Sequence, residues 1–231
     1  MAEAGPEPST QEPAGPMAPP GPRPEEGLLE TVVSVVTEPV PTLRRLTRER
    51  PIGWALAVAA VISLLSTLVA AAQPVRGQPG LGADVPPLLG GGAPGLVLVG
   101  AAILGPILGI VSVAVWAGIL QLMALLLGGK GPYSGLFVGV AFAGVPQVLG
   151  VPFGILPIAL GPAWSALSFL VSLVLGLWAL ALNVIAVREN NGFTTARAAV
   201  AVLVPLAVLF FLAMAAVVAL VVLALVALGG L

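Results

Sequence analysis

The 231-residue sequence contains no cysteine and no histidine, and only 8% of its residues are charged. Without these two residue types the chain cannot form disulfides, thiolate or imidazole metal sites, or a Ser-His or Cys-His catalytic pair, and no cofactor is expected. Soluble domains carry about 25% charged residues, so the composition also excludes an ordinary soluble domain. Hydrophobic residues make up 58% of the chain, which indicates an integral membrane protein with several spans.

The first 27 residues differ in composition from the rest of the chain. They hold eight prolines, four glycines and five of the ten acidic residues of the sequence, namely Glu3, Glu7, Glu12, Glu25 and Glu26. Such a segment has too little apolar surface to offset the entropy of ordering. We therefore predict that residues 1–27 form a disordered tail.

Residues 28–50 form a second segment, which is amphipathic. Its first part places Leu28, Leu29, Val32, Val33 and Val36 on one apolar helical face, with Glu30 and Thr31 turned away. Prolines at positions 39 and 41 end that helix. An apolar strip of Leu43 and Leu46 then runs among four arginines, Arg44, Arg45, Arg48 and Arg50. This pattern is typical of a short interfacial helix on an anionic membrane surface.

The remaining residues, 51–231, form a membrane domain. A bilayer core needs about 20 apolar residues per helix, and five stretches meet that length: 52–72, 96–127, 136–160, 163–187 and 196–228. The third stretch contains Pro146, Pro152 and Pro157, so we expect it to be bent or broken where neighbouring helices cover the freed carbonyl groups. The predicted fold class is an all-α integral membrane bundle of five transmembrane helices.

The lysines and arginines predict the orientation of this bundle, because they favour cytoplasmic loops. With the N-terminus in the cytoplasm, eight of the nine basic residues lie inside and only Arg76 lies outside. The C-terminus is then external, as is the loop 73–95, which is rich in proline and glycine. We expect a multi-pass protein of a prokaryotic plasma membrane with a cytoplasmic tail.

Several chemistries are excluded by the residues present. No ionisable residue lies deep in a span, which argues against an ion-coupled transporter. Asp84 is the sole aspartate, so an intramembrane aspartyl protease is excluded. The glycine-rich run at 128–131 is not a phosphate-binding loop, because Ala124 and Gly131 stand where that motif needs glycine and Ser or Thr.

Three amide side chains, Gln121, Gln147 and Asn183, are the intramembrane polar contacts. We expect Gln121 and Asn183 to meet across a helix contact, and Gln147 to satisfy a carbonyl freed by Pro146. A solute-binding role for the three amides is the alternative. Glycine pairs at spacing four are expected to allow close helix approach: Gly105 with Gly109, Gly135 with Gly139, and Gly150 with Gly154.

Three segments of the chain resemble the Yip family of multi-pass membrane proteins, named for interaction with Ypt/Rab GTPases, and in particular its prokaryotic branch. These segments are Glu38–Trp54 with its Leu-Arg-Arg-Leu run, Leu127–Pro146 with its glycine-lysine turn, and Gly176–Ala198 with its charged turn. The resemblance implies five spans and a cytoplasmic N-terminus. The Asp-Leu-Tyr-Gly-Pro motif of eukaryotic members is absent, so Rab binding is not carried over.

These observations favour a non-enzymatic membrane scaffold or adaptor that presents a basic cytoplasmic face to anionic lipid or a protein partner. A transporter or channel for a neutral or apolar solute is the alternative function. Membrane lipids are the expected partners, together with an unknown membrane or cytoplasmic protein or a second copy of the chain, and nucleic acid is not expected. The residues predicted to face lipid or partner are Arg44, Arg45, Arg48, Lys130, Arg188, Glu189 and Arg197.

Overall fold

The computed structural model describes residues 27–72 and 94–229. The predicted disordered tail before Gly27, nearly all of the loop 73–95 that was predicted to be external, and the last two residues lie outside these ranges. Within them, five helical segments are long and apolar enough to cross a membrane: Ile52–Ala70, Ala102–Leu126, Tyr133–Pro157, Ser165–Asn191 and Thr195–Val226. The prediction of an all-α membrane protein with five spans is confirmed.

Eight α-helices make up the described fold. They are α1 (Leu28–Thr37), α2 (Pro39–Glu49), α3 (Ile52–Ala72), α4 (Pro94–Leu126), α5 (Tyr133–Ala143), α6 (Val151–Leu160), α7 (Ser165–Asn191) and α8 (Thr195–Gly229). The first two precede the spans, while α5 and α6 share the third span.

Helices α3 and α4 form a closely packed antiparallel pair. Gly105 faces Thr67 and Gly109 faces Ser63, and a Cβ atom at Gly105 would lie 2.7 Å from the Thr67 hydroxyl oxygen. Both hydroxyls donate within α3, Ser63 to the carbonyl of Ala59 at 2.7 Å and Thr67 to that of Ser63 at 2.6 Å. The predicted close approach at this glycine pair is confirmed.

The third span is broken in its middle. Helix α5 ends at Ala143, a 3₁₀ helix runs from Val145 to Gly150, and α6 continues from Val151. Helices α1, α3 and α7 pack against the 3₁₀ helix, so the interruption is covered by protein. In the most apolar part of this span 56% of the residues are buried, against 0% in the fifth span. The expected break and its cover are therefore confirmed, and the broken span forms the core.

Helix α8 contacts α7 and α4 through its first turns. Ala198, Ala201 and Val202 are fully buried there. Beyond Pro205, which lies inside the continuous helix, residues 206–226 are all exposed. Most of the fifth span is thus free to contact lipid.

Helices α1 and α2 form an antiparallel hairpin. Glu38 leaves helical geometry at φ −131° and ψ 67°, and Pro39 begins α2. The hydroxyl of Thr42 donates to the Ser34 carbonyl at 3.2 Å. Leu28, Val32 and Val36 of the predicted apolar face pack against the core, so that part of the prediction is confirmed. The rest was wrong: Leu29 is 79% exposed, and Thr31, which was expected to face away, is buried. The guanidinium of Arg45 donates to the Thr31 hydroxyl at 3.4 Å, which makes burial of this polar side chain tolerable.

Candidate functional site: a basic cap on the helix bundle

One end of the bundle carries all the basic residues that the structure describes. We call this end the basic cap and define it as residues 39–50, 127–132 and 188–197, which are α2, the α4–α5 loop and the α7–α8 turn. Helix α2 packs against both α5 and α7. Hydrogen bonds and an ion pair join the three segments.

Helix α2 turns its apolar strip toward protein. Leu43 and Leu46 are 0% and 1% exposed, because α5 and α7 cover them. A Cβ atom at Gly135 of α5 would lie 2.5 Å from the Thr47 carbonyl oxygen, so glycine there allows α2 to approach. The strip expected to contact the membrane surface is therefore buried in the bundle, and the side of α2 that bears Arg44 and Arg48 is left exposed.

The conformation of the glycine-lysine loop, residues 127–132, is determined by the way α4 ends. Gly128 has φ +81°, a left-handed conformation that glycine adopts without steric cost. The amide of Gly129 donates to the Ala124 carbonyl at 2.7 Å, and that of Gly128 donates to Leu125 at 2.9 Å. This is the Schellman pattern, which satisfies the last carbonyl groups of a helix. The chain then turns sharply, leaving Lys130 exposed.

Two asparagines at the end of α7 hold this loop. The amide of Gly131 donates to the side-chain oxygen of Asn191 at 3.0 Å, and the side chain of Asn190 donates to the Pro132 carbonyl at 3.2 Å. From the other side, Gln121 donates to the Gly131 carbonyl at 2.8 Å. The loop and the turn are therefore one packed unit.

An ion-pair cluster joins α2 to α7. Arg44 Nε lies 2.6 Å from Glu189 Oε2, and Arg188 Nη2 lies 2.7 Å from Glu189 Oε1. The Glu189 side chain is 9% exposed, so its carboxylate depends on these two partners. The hydrogen bond and the charge of Glu189 raise the pKa of Arg44. Arg188 also donates to the Thr195 hydroxyl at 3.2 Å, which extends the cluster to α8.

The other cations of the cap remain at its surface. Arg48, Arg50 and Lys130 are exposed, and within the described residues they form no ion pair. The guanidinium of Arg197 stands 5.0 Å from the centre of the Phe193 ring. The described residues hold seven basic and four acidic side chains, a net charge of +3. Only two of the four acidic side chains, Glu49 and Glu189, lie in the cap, so the cap itself carries an excess of positive charge.

The structure separates the predicted surface residues into two groups. Arg44, Arg188 and Glu189 lie together in the ion-pair cluster, whereas Arg48 and Lys130 are exposed without an ionic partner among the described residues. The other two belong to neither group, since Arg45 donates to the Thr31 hydroxyl and Arg197 stands over the Phe193 ring. Asn190 and Asn191 were not among the predicted site residues. They directly precede Gly192 at the end of a long helix, where amide side chains can bond to a neighbouring loop. This position in the sequence could have indicated their role.

The three intramembrane amides do not form a shared site. The predicted contact of Gln121 with Asn183 was wrong: Gln121 bonds the loop, and Asn183 donates to the Ala179 carbonyl of its own helix at 2.7 Å. Gln147 lies in the 3₁₀ helix, and its side chain forms no hydrogen bond within the described ranges. Asn183 lines an open groove of about 400 Å³ between α4, α7 and α8 together with Trp116.

The three segments that resemble the Yip family come together at the basic cap. They are distant in sequence, since the bonded residues Arg44 and Glu189 are 145 positions apart. No curated protein and no solved structure matches the chain. The family model of the Yip1 domain matches residues 33–217, which spans the described helices from α1 into α8. This multi-pass membrane protein therefore belongs to the Yip1 domain family.

Proposed function

We propose that the protein is a non-enzymatic membrane scaffold whose basic cap binds anionic lipid headgroups on the cytoplasmic side. The observation that carries this proposal is the group of exposed cations, Arg48, Arg50 and Lys130, on a cap whose three segments are joined by hydrogen bonds and an ion pair. A basic side chain near an anionic leaflet contributes about 1 kcal/mol of binding free energy. Three such cations at the level of the headgroups favour an anionic surface over a neutral one.

The basic residues of the cap have different surroundings, and this difference supports the proposed function. Arg44 is engaged by Glu189, so its role is to fix α2 on the bundle. Arg48 lies one turn further along α2 and is exposed, and Lys130 is held on the loop by the asparagines of α7. Because the backbone that bears these cations is packed, little backbone entropy is lost when they bind a headgroup, although their exposed side chains lose rotamer freedom. The excess of basic residues at this end also supports a cytoplasmic location for the cap, because lysines and arginines favour cytoplasmic loops.

The alternative of a transporter for a neutral or apolar solute receives no comparable support. It needs a path that connects Gln121, Gln147 and Asn183, whereas these residues lie in separate environments. The groove beside Asn183 is open along its length, as expected of a surface that lipid chains cover.

Lipid binding by the purified full chain tests the proposal. Native mass spectrometry in mild detergent would compare retention of phosphatidylglycerol with that of phosphatidylcholine. The variant Arg48→Gln/Lys130→Gln is expected to weaken phosphatidylglycerol retention about tenfold or more, since two cations are removed. The matched control Arg48→Lys keeps the charge and should retain the lipid.

An unchanged preference for phosphatidylglycerol in the glutamine variant would contradict lipid binding by the cap. Affinity purification of the tagged protein from its own cells then separates the remaining interpretation. If a stoichiometric protein partner is lost in the same variant, the ligand of the cap is an acidic protein surface and not a lipid.

A further inference from the structure

Positive and negative charge are concentrated in different parts of this chain. The described residues carry a net charge of +3, and their seven basic side chains all lie in the basic cap. Residues 1–26 hold five glutamates and one arginine, which is a net side-chain charge of −4. The segment 73–93 contributes one aspartate and one arginine, which cancel. The acidic excess of the protein therefore lies in the segment that immediately precedes α1.

The hairpin of α1 and α2 brings the start of α1 close to the exposed arginines. Thr31 contacts Arg45, and Thr42 contacts Ser34, so the two helices are antiparallel with a fixed register. Continued by one turn, this register places Gly27 beside Glu49, between Arg48 and Arg50 at the end of α2. Glu25 and Glu26 precede Gly27 by two residues and one. Successive Cα atoms are about 3.8 Å apart, so covalent geometry keeps both glutamates near the cap.

We propose that the N-terminal segment, residues 1–26, occupies the basic cap of its own chain and competes there with anionic lipid. This inference rests on the proposed function, because it names a regulator of the same surface. A tethered acidic segment acts at an effective concentration of the order of millimolar. Opposite charges on one molecule attract most strongly at low ionic strength. The cap then opens to lipid only where the local density of anionic headgroups displaces the segment.

Distance measurements between paired spin labels test the docking itself. The native chain has no cysteine, so two introduced cysteines are the only labelling sites. One pair is Thr10→Cys with Ala196→Cys, where Ala196 is exposed beside Arg197 in the cap. The control pair is Thr10→Cys with Ser165→Cys at the opposite end of α7, whose 27 residues span about 40 Å. Both pairs are measured in neutral phosphatidylcholine nanodiscs.

We expect short distances for the cap pair and long ones for the control pair. Changing all five glutamates of residues 1–26 to glutamine should lengthen the cap distances, as should 1 M salt, where the Debye length falls to about 3 Å. Changing the same five to aspartate keeps the charge and should leave the distances short. Identical cap distances in the native, glutamine and aspartate forms would overturn the inference.

Lipid retention by the same variants separates this inference from the function on which it rests. The glutamine form should bind phosphatidylglycerol about tenfold more tightly than the native chain, because the cap is vacated, and the aspartate form should match the native chain. If the label distances respond but Arg48→Gln/Lys130→Gln does not change lipid binding, the proposed function fails and the docking stands. If lipid binding needs the two cations but the glutamine form changes neither readout, the docking fails alone.

Discussion

Replacing Gly109 by alanine is expected to destabilise the bundle, whereas the same replacement at Gly118 of the same helix is expected to stabilise it. A Cβ atom at Gly109 would collide with the Cβ and hydroxyl of Ser63 on α3, and rotation of the serine cannot remove a collision with its own Cβ. A Cβ atom at Gly118 would meet no atom within 4 Å. The pair therefore separates helix packing from helix propensity.

The magnitudes follow from two opposing contributions to the free energy of unfolding. Alanine in place of glycine in a helix interior contributes up to about 1 kcal/mol of stability at both positions. Overpacking costs about 1 to 3 kcal/mol, and we take about 3 kcal/mol at Gly109 because α3 and α4 must move apart. The net expectation is a loss of about 2 kcal/mol for Gly109→Ala and a gain of about 1 kcal/mol for Gly118→Ala.

Unfolding of the purified protein in detergent, followed by tryptophan fluorescence, measures this difference. The double variant Gly109→Ala/Ser63→Gly removes the colliding side chain and should recover most of the lost stability. Equal stability of Gly109→Ala and Gly118→Ala, or no recovery in the double variant, would refute the close packing of α3 on α4.

Three further predictions concern the basic cap. Glu189→Gln removes the charge shared by Arg44 and Arg188 and should cost about 2 kcal/mol, since the hydrogen bonds that the buried Glu189 carboxylate accepts lose their charge assistance. Hydrogen exchange of α2 amides should accelerate, and unchanged exchange would contradict the role of the cluster. Gly131→Ala would bring a Cβ atom against the Asn190 carbonyl and should cost about 1 to 3 kcal/mol in thermal unfolding, whereas Gly53→Ala, with open space around it, should cost nothing from packing. Tyr133→Phe removes the 2.9 Å hydrogen bond from the tyrosine hydroxyl to the Ala114 carbonyl. Because Tyr133 is 44% exposed, the free energy of unfolding should fall by no more than about 1 kcal/mol. A larger loss would mean that the hydroxyl does more than bond α4.

The spans could be predicted because their length, apolar composition and prolines act locally. The break of the third span follows from prolines that remove backbone donors, and α3 and α4 approach where two glycines lie one turn apart. These properties depend on the segment itself or on its nearest neighbour along the chain.

The cap could not be predicted to the same extent, because its contacts depend on how helices rotate about their axes. Gln121 and Asn183 lie near the same end of the bundle, but depth does not determine whether two side chains face each other. The apolar strip of α2 identifies a face that must be buried, without specifying whether lipid or protein covers it. The bond between Arg44 and Glu189 joins residues 145 positions apart, and no local pattern specifies it.

The part of α8 beyond Pro205 lies outside the packed core of the described bundle. The fifth span is 32 residues long, or about 48 Å, against a hydrocarbon core of about 30 Å, so it must tilt or extend beyond the core. Because residues 206–226 are exposed on every side, such tilting leaves the packed core of the bundle unchanged. The protein can therefore adjust to bilayers of different thickness while its basic cap keeps one geometry.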